Sequence, residues 1–189
     1  MIWQKLLSVA ALSLLICPVS AQEKGETKPA AGKAEMLEIG GGKIVVEKPA
    51  AWKTVPKGQM LEHEFKAPAE GENSARITIM SASGSIDANI ERWIGQFDGA
   101  TKADTKIEKK EVGDTKIHIV EISGTFKESM GGPFAPNAGT KKKENYKMLG
   151  AILELKDGAK VFIKATGPKE TIADLRDAMV KMLEGLKTK

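Results

Sequence analysis

The stretch NYKMLGAILEL, Asn145 to Leu155, decides the fold. Side chains alternate between the two faces of a β-strand. As a strand this segment puts Leu149, Ala151, Leu153 and Leu155 on one side and Met148 and Ile152 on the other. A strand with one wet face shows polar residues there, so apolar residues on both faces imply a central strand covered from both sides. The chain must then supply a sheet around this strand and a covering layer for each face.

Outward from it, Asp157-Gly158 is a two-residue hairpin signal, and AKVFIKATG (Ala159 to Gly167) pairs back. Towards the N-terminus, TKIHIVEISGTF (Thr115 to Phe126) is a strong strand, joined through Gly113-Asp114 to the weaker KIEKKEV (Lys106 to Val112). ARITIMSAS (Ala75 to Ser83) turns Ile77 and Ile79 inward. MLEHEF (Met60 to Phe65) sets Leu61, His63 and Phe65 on one face, with Glu62, Glu64 and Lys66 on the other. KIVVEKP ends at a proline, and AWKTVPKG, lying between prolines, is an edge strand or a bent entry.

Two segments change period from two to 3.6. In SIDANIERWIGQFD (Ser85 to Asp98), Ile86, Ile90, Trp93, Ile94 and Phe97 form one apolar face. Ser85 suits the N-cap, and Asp87 the first turn. In PKETIADLRDAMVKMLEGLK (Pro168 to Lys187), Ile172, Leu175, Met179, Met182, Leu183 and Leu186 form the stripe, and Pro168 suits the first helical position. These are core-facing stripes, since burial of one face is what holds an amphipathic helix on its domain. The expectation is an α+β fold: a mainly antiparallel sheet of about six strands covered by two amphipathic helices.

The 189-residue chain opens with Lys5, an apolar run from Leu6 to Cys17 and small residues at Val19-Ser20-Ala21. That order predicts a secretory signal peptide over 1–21. Ile16 before Cys17 is too large for a lipoprotein processing site, so Cys17 belongs to the leader; a lipid on it would instead anchor the chain to a membrane. Residues 22–35 are charged and lack any large apolar side chain, which predicts a disordered lead. A single α+β domain follows over 36–189. Loss of Lys5 with the leader takes the formal net charge from +4 to +3. So slight an excess is no nucleic-acid footprint. Without Cys17 the chain has no cysteine, so it folds without disulfides and without thiolate chemistry. The expected location is exported, periplasmic or extracellular.

Catalytic signatures are missing. No G-x-S-x-G, P-loop or G-x-G-x-x-G occurs, and the glycines of IGGGK (Ile39 to Lys43) precede a strand where a phosphate site needs a helix N-terminus. His63, between Leu61 and Phe65, suits a half-buried, hydrogen-bonded histidine; His118 faces away from Ile117 and Ile119. Glu62 and Glu64 share a strand face and suit a solvated edge. No cofactor and no metal site is expected, because zinc needs three or four ligands and the imidazoles supply two.

The segment ESMGGPFAPNAGTKKK (Glu128 to Lys143) is predicted as a long loop, and long loops are usually functional or disordered. Met130 and Phe134 offer apolar contact, and Lys141, Lys142, Lys143 and Lys147 a positive patch for an envelope protein or another anionic envelope component. The leading expectation is a non-catalytic exported binding or assembly domain docking through 128–147. The alternatives are a hydrolase-type enzyme using His63 or His118, and a carrier of a small apolar ligand.

WKTVPKG, ANIERWIGQF, GGPFAP, YKMLGAI and IKATGPKET together resemble a family of uncharacterised exported bacterial proteins, from about Lys43 to Leu186. That family brings no activity and no functional residue. The element order is more loosely similar to the PsbP-like fold, an antiparallel sheet sandwiched by helices. This resemblance implies an assembly or binding factor more than an enzyme. Only two helices are evident here, which leaves the second covering layer open.

Overall fold

The computed structural model describes residues 35–68, 73–131 and 139–189. The predicted signal peptide, the lead up to residue 34 and Phe134 lie outside the described residues. Strands β1 (Met36–Ile39), β2 (Ile44–Glu47), β3 (Lys53–Thr54), β4 (His63–Ala67) and β5 (Ala75–Ala82) precede helix α1 (Ile86–Ile94). Then come β6 (Phe97–Asp98), β7 (Lys106–Val112), β8 (Thr115–Ser129), β9 (Thr140–Glu154) and β10 (Lys160–Pro168). Helix α2 (Lys169–Glu184) and β11 (Lys187–Thr188) close the chain.

The main sheet runs β3-β4-β5-β10-β9-β8-β6, with β7 also on β8; β1, β2 and β11 form a second, small sheet. Every pairing is antiparallel. The fold is therefore α+β as expected, with eight strands in the main sheet where about six were predicted. The additional pieces are short edge segments, too brief to show a period.

β9 is central, and its faces feed two separate cores. Leu149, Ala151, Leu153 and Leu155 join the core under α2, β1 and β2. Met148 and Ile152 join the core under α1, with Ile90, Trp93, Val120, Ile122 and Phe162. The second covering layer thus exists, and the small sheet completes it beside α2. Ser85 caps α1, its Oγ accepting from the Ala88 N–H at 3.2 Å. Trp93 stands edge-on to Phe162, centroids 5.5 Å apart, and lies directly over Gly150. A Cβ at Gly150 would meet the indole at 2.5 Å, so this strand position must be glycine for α1 to sit as it does. Full burial of a side chain of this class stabilises by about 1.5–3 kcal/mol.

Three local expectations change. α1 stops at Ile94, because Phe97 and Asp98 leave the helix to pair with Phe126 and Thr125. Pro168 precedes α2 as its N-cap while still pairing with Tyr146 on β9. Past Gly185 the chain becomes strand, with Lys187 and Thr188 opposite Val45 and Ile44.

Among its described residues, the predicted 128–143 loop is largely hairpin. β8 continues to Ser129 and β9 begins at Thr140, with Phe126, Lys127, Glu128 and Ser129 opposite Lys143, Lys142, Lys141 and Thr140. A bulge between Gly124 and Phe126 shifts the register and starts this arm. Cross-strand pairing overrides a local composition that reads as loop.

Candidate functional site

α1 covers only part of its face of the main sheet. On β10, Phe162, Lys164 and Thr166 share that face, since they are two residues apart. Phe162 lies under Trp93; Lys164 and Thr166 continue past the end of the helix. There a cleft of about 800 Å³ opens, within the usual size range for ligand sites. Arg76 and Thr78 of β5, Lys164 and Thr166 of β10 and Tyr146 of β9 form its floor. Gln59 and Leu61 stand on one side, and the arm residues Ser129 and Gly131 on the other.

The charge on this floor is unevenly compensated. Arg76 gives its Nε–H to Glu64 at 2.7 Å. Burial raises the Glu64 carboxyl, but hydrogen bonds from Arg76 and the Gly58 N–H outweigh it and hold the group below its ordinary value. Lys143 is paired with Glu128 at 2.9 Å and lies over the Tyr146 ring, 5.3 Å from its centroid. Lys164 has no carboxylate partner among the described residues; its Nζ donates to Gln96 Oε1 at 3.1 Å. Burial, together with the charges of Arg76 and Arg92, pushes Lys164 down to about 8. Beside it, the buried Thr166 Oγ1 has no hydrogen-bond partner among the described residues. Buried polar atoms are normally satisfied. Two more such atoms, Trp52 Nε1 and Thr115 Oγ1, do not line the cleft.

The described residues among those predicted for docking are not gathered on one surface. Met130 is 65% exposed at the end of β8, next to Ser129 and Gly131 of the cleft wall. Lys141, Lys142 and Lys143 sit on β9 rather than in a loop. Lys142 is 2.7 Å from Asp98, so much of the expected positive patch is neutralised in place. Lys147 faces the α2 side, 2.5 Å from Glu121. It belongs to a partly buried ion cluster in which Glu121 also accepts from Arg176 of α2 at 2.9 Å, while Arg176 reaches Glu108 at 2.8 Å. Burial would raise the Glu121 carboxyl, but hydrogen bonds from Lys147 and Arg176 overcome it and hold the group at about 2.

His63 is half-buried, as expected, and its Nε2–H donates to the Glu38 carbonyl at 2.9 Å. His118 is depressed by burial and by Lys109. β5, β10 and β9 lie between the two histidine strands, a separation of about 19 Å at 4.7–4.9 Å per strand. They also face opposite sides, because His63 pairs with Ile79 of the α2-side core whereas His118 pairs with Ile152 of the α1-side core. The two cannot act on one substrate. Glu62 and Glu64 do not form a solvated acidic edge either: Glu62 accepts from the Gly40 N–H at 2.7 Å and from Ser81 Oγ at 2.5 Å, apart from the Glu64–Arg76 pair. The cleft lies beside α1 rather than beneath it, and its cationic floor does not suit a wholly apolar ligand.

Lys164 and Thr166 escaped the sequence analysis. The available signal was a lysine inside IKATG, two residues from Phe162 on an inward face.

Comparison with protein-family models and with curated proteins gives no match. Among solved structures, the chain is similar to the solution structure of cyanobacterial PsbP (CyanoP) from Synechocystis sp. PCC 6803. The TM-score is 0.52 at 10% identity, over 85% of this chain and 96% of that one. The fold is PsbP-like. A protein of unknown function from Pseudomonas aeruginosa, described as a putative regulator, also aligns, with a TM-score of 0.44 and 14% identity over 84% of this chain and 99% of that one. In this PsbP-like chain the sheet is sandwiched as the resemblance implied, and the cleft lies at the uncovered end of the α1 layer. No helix among the described residues is long and apolar enough to cross a membrane.

Proposed function

We propose that this chain is an exported, non-catalytic binding domain of the cell envelope, and that it docks a protein partner across the cleft mouth and the β8–β9 arm. One observation supports this above the rest. Met60 is 74% exposed and Met130 is 65% exposed, and they sit on the two segments that flank the same cleft. Met60 is held there at φ +67, an uncommon angle for a side-chain-bearing residue. Methionine adapts its shape to a partner surface, which suits it to binding faces. Exposed Lys141, on the β9 strand of the arm, favours a partner with acidic residues around an apolar contact. The leader-like N-terminus supports export, and the PsbP-like fold is compatible with a binding role.

Photo-crosslinking in cells tests the proposal. A photoreactive methionine analogue at position 60 and at position 130 should capture the same envelope protein from both positions. Capture of nothing, or of unrelated proteins from the two sites, contradicts it.

A further inference from the structure

The geometry points to an oxyanion-binding site on the floor of the cleft, formed by the Lys164 ammonium, the Thr166 hydroxyl and the Arg76 guanidinium. It shares the cleft with the docking proposal but depends on different side chains, and it can hold or fail by itself.

The three groups belong together by register. Lys164 and Thr166 are two apart on β10, and Thr166 is directly opposite Arg76 on β5. An ammonium has three donors. Gln96 takes one from Lys164, and the other two have no protein acceptor among the described residues. The Thr166 hydroxyl is buried and unpaired among them. Arg76 spends its Nε–H on Glu64, while a guanidinium carries four further N–H donors. Unmet donors therefore lie at adjacent positions on one sheet face, and a carboxylate or phosphate group is the chemistry that satisfies lysine, arginine and hydroxyl donors together.

The surrounding charges favour this assignment. From α1, Arg92 adds positive potential at Lys164. From β4, Glu64 is committed to Arg76 and Gly58. From the arm, Glu128 is committed to Lys143 and Lys127 to Asp98. No described carboxylate is left over for Lys164. An isolated charge in a partly buried place is costly unless a counter-ion arrives. A bound oxyanion would supply it and draw a proton onto the amine, so binding should weaken as pH rises through the Lys164 titration. Tyr146, Phe126 and Leu61 border the floor and give an organic acid an apolar surface to lie on.

The test is calorimetric titration of the full chain with benzoate and with inorganic phosphate, near pH 7 and near pH 9.5. Saturable binding of either probe is expected near pH 7, weaker by about tenfold at the higher pH, where the amine is mostly neutral. Benzoate binding the tighter assigns the site to an acid carried on an apolar body; phosphate equal or tighter assigns it to the free oxyanion. Lys164→Met should weaken binding about tenfold or more and Thr166→Val about fivefold, from the loss of one charge-assisted and one neutral hydrogen bond. Circular dichroism should show both variants folded. Arg76→Gln provides a second reading of the charge requirement should either fail to fold. No saturable binding of either probe to the wild type, or equal binding by folded Lys164→Met, overturns the assignment.

Discussion

Replacement of Lys164 by methionine should make the protein more stable at neutral pH. Lys164 is held at about 8, against an ordinary lysine value of 10.5. The folded state therefore binds this proton less tightly than the unfolded chain does. Below about pH 8 both states carry it, and folding bears the full penalty, about 3 kcal/mol at 1.36 kcal/mol per pKa unit. Between about pH 8 and 10.5 the unfolded chain holds more protons, so stability rises with pH through that window. Above it the penalty is gone. Methionine removes the charge, keeps the length of the chain and loses the bond to Gln96, a loss of about 1 kcal/mol. The net expectation is a gain of about 2 kcal/mol near pH 7. For a domain of this size that raises Tm by about 4–8 °C. Other lysines also titrate at high pH, so the informative quantity is the wild-type minus variant difference, measured by urea denaturation at several pH values. The gap should close before about pH 10.5 and then reverse by about 1 kcal/mol, the lost bond to Gln96. A variant less stable than wild type near neutrality, or a gap that does not change with pH, would refute the reasoning.

Other consequences follow from the same geometry. Glu121→Gln should cost about 2–3 kcal/mol near neutrality, because it leaves Lys147 and Arg176 without their shared carboxylate. The folded carboxyl lies at about 2, below its ordinary 4.5, so the wild type should lose this margin as pH falls from about 5 towards 2. Acid denaturation of the variant should lack that component. Gly150→Ala should destabilise by about 1–3 kcal/mol by thermal melting, since its Cβ would push Trp93 off the sheet; an unchanged Tm would mean that α1 is not seated there. The double change Met60→Ser with Met130→Ser should leave Tm within about 1 °C of wild type, since both side chains are exposed, yet abolish capture of the proposed envelope partner.

The parts of the fold legible in the sequence are those whose cause is local. Asn145 to Leu155 is apolar on both faces, and those two sets of side chains enter two cores. Ser85 could be read as a cap because capping depends on three or four neighbouring residues. Strand pairing depends on distant ones. Thr140 to Lys143 look like loop in isolation and become strand because Phe126 to Ser129 lie alongside. Lys187 and Thr188 become strand because β2 is within reach of the end of α2. The site was less legible for the same reason. The lysine cluster at 141–143 is conspicuous as a run of charge, but Asp98 and Glu128 neutralise two of its members from elsewhere in the chain. Lys164 looks ordinary beside it, and only the arrangement of β5, β10 and α1 sets it apart in a cleft without a carboxylate partner among the described residues.

NMR titration of the Lys164 side chain, using carbon-13-labelled lysine with Lys164→Met as the assignment control, tests this directly. The midpoint should fall near 8 and move upward when benzoate fills the cleft. A midpoint near the ordinary 10.5, unmoved by benzoate, would contradict the account of a partly buried ammonium awaiting an anion.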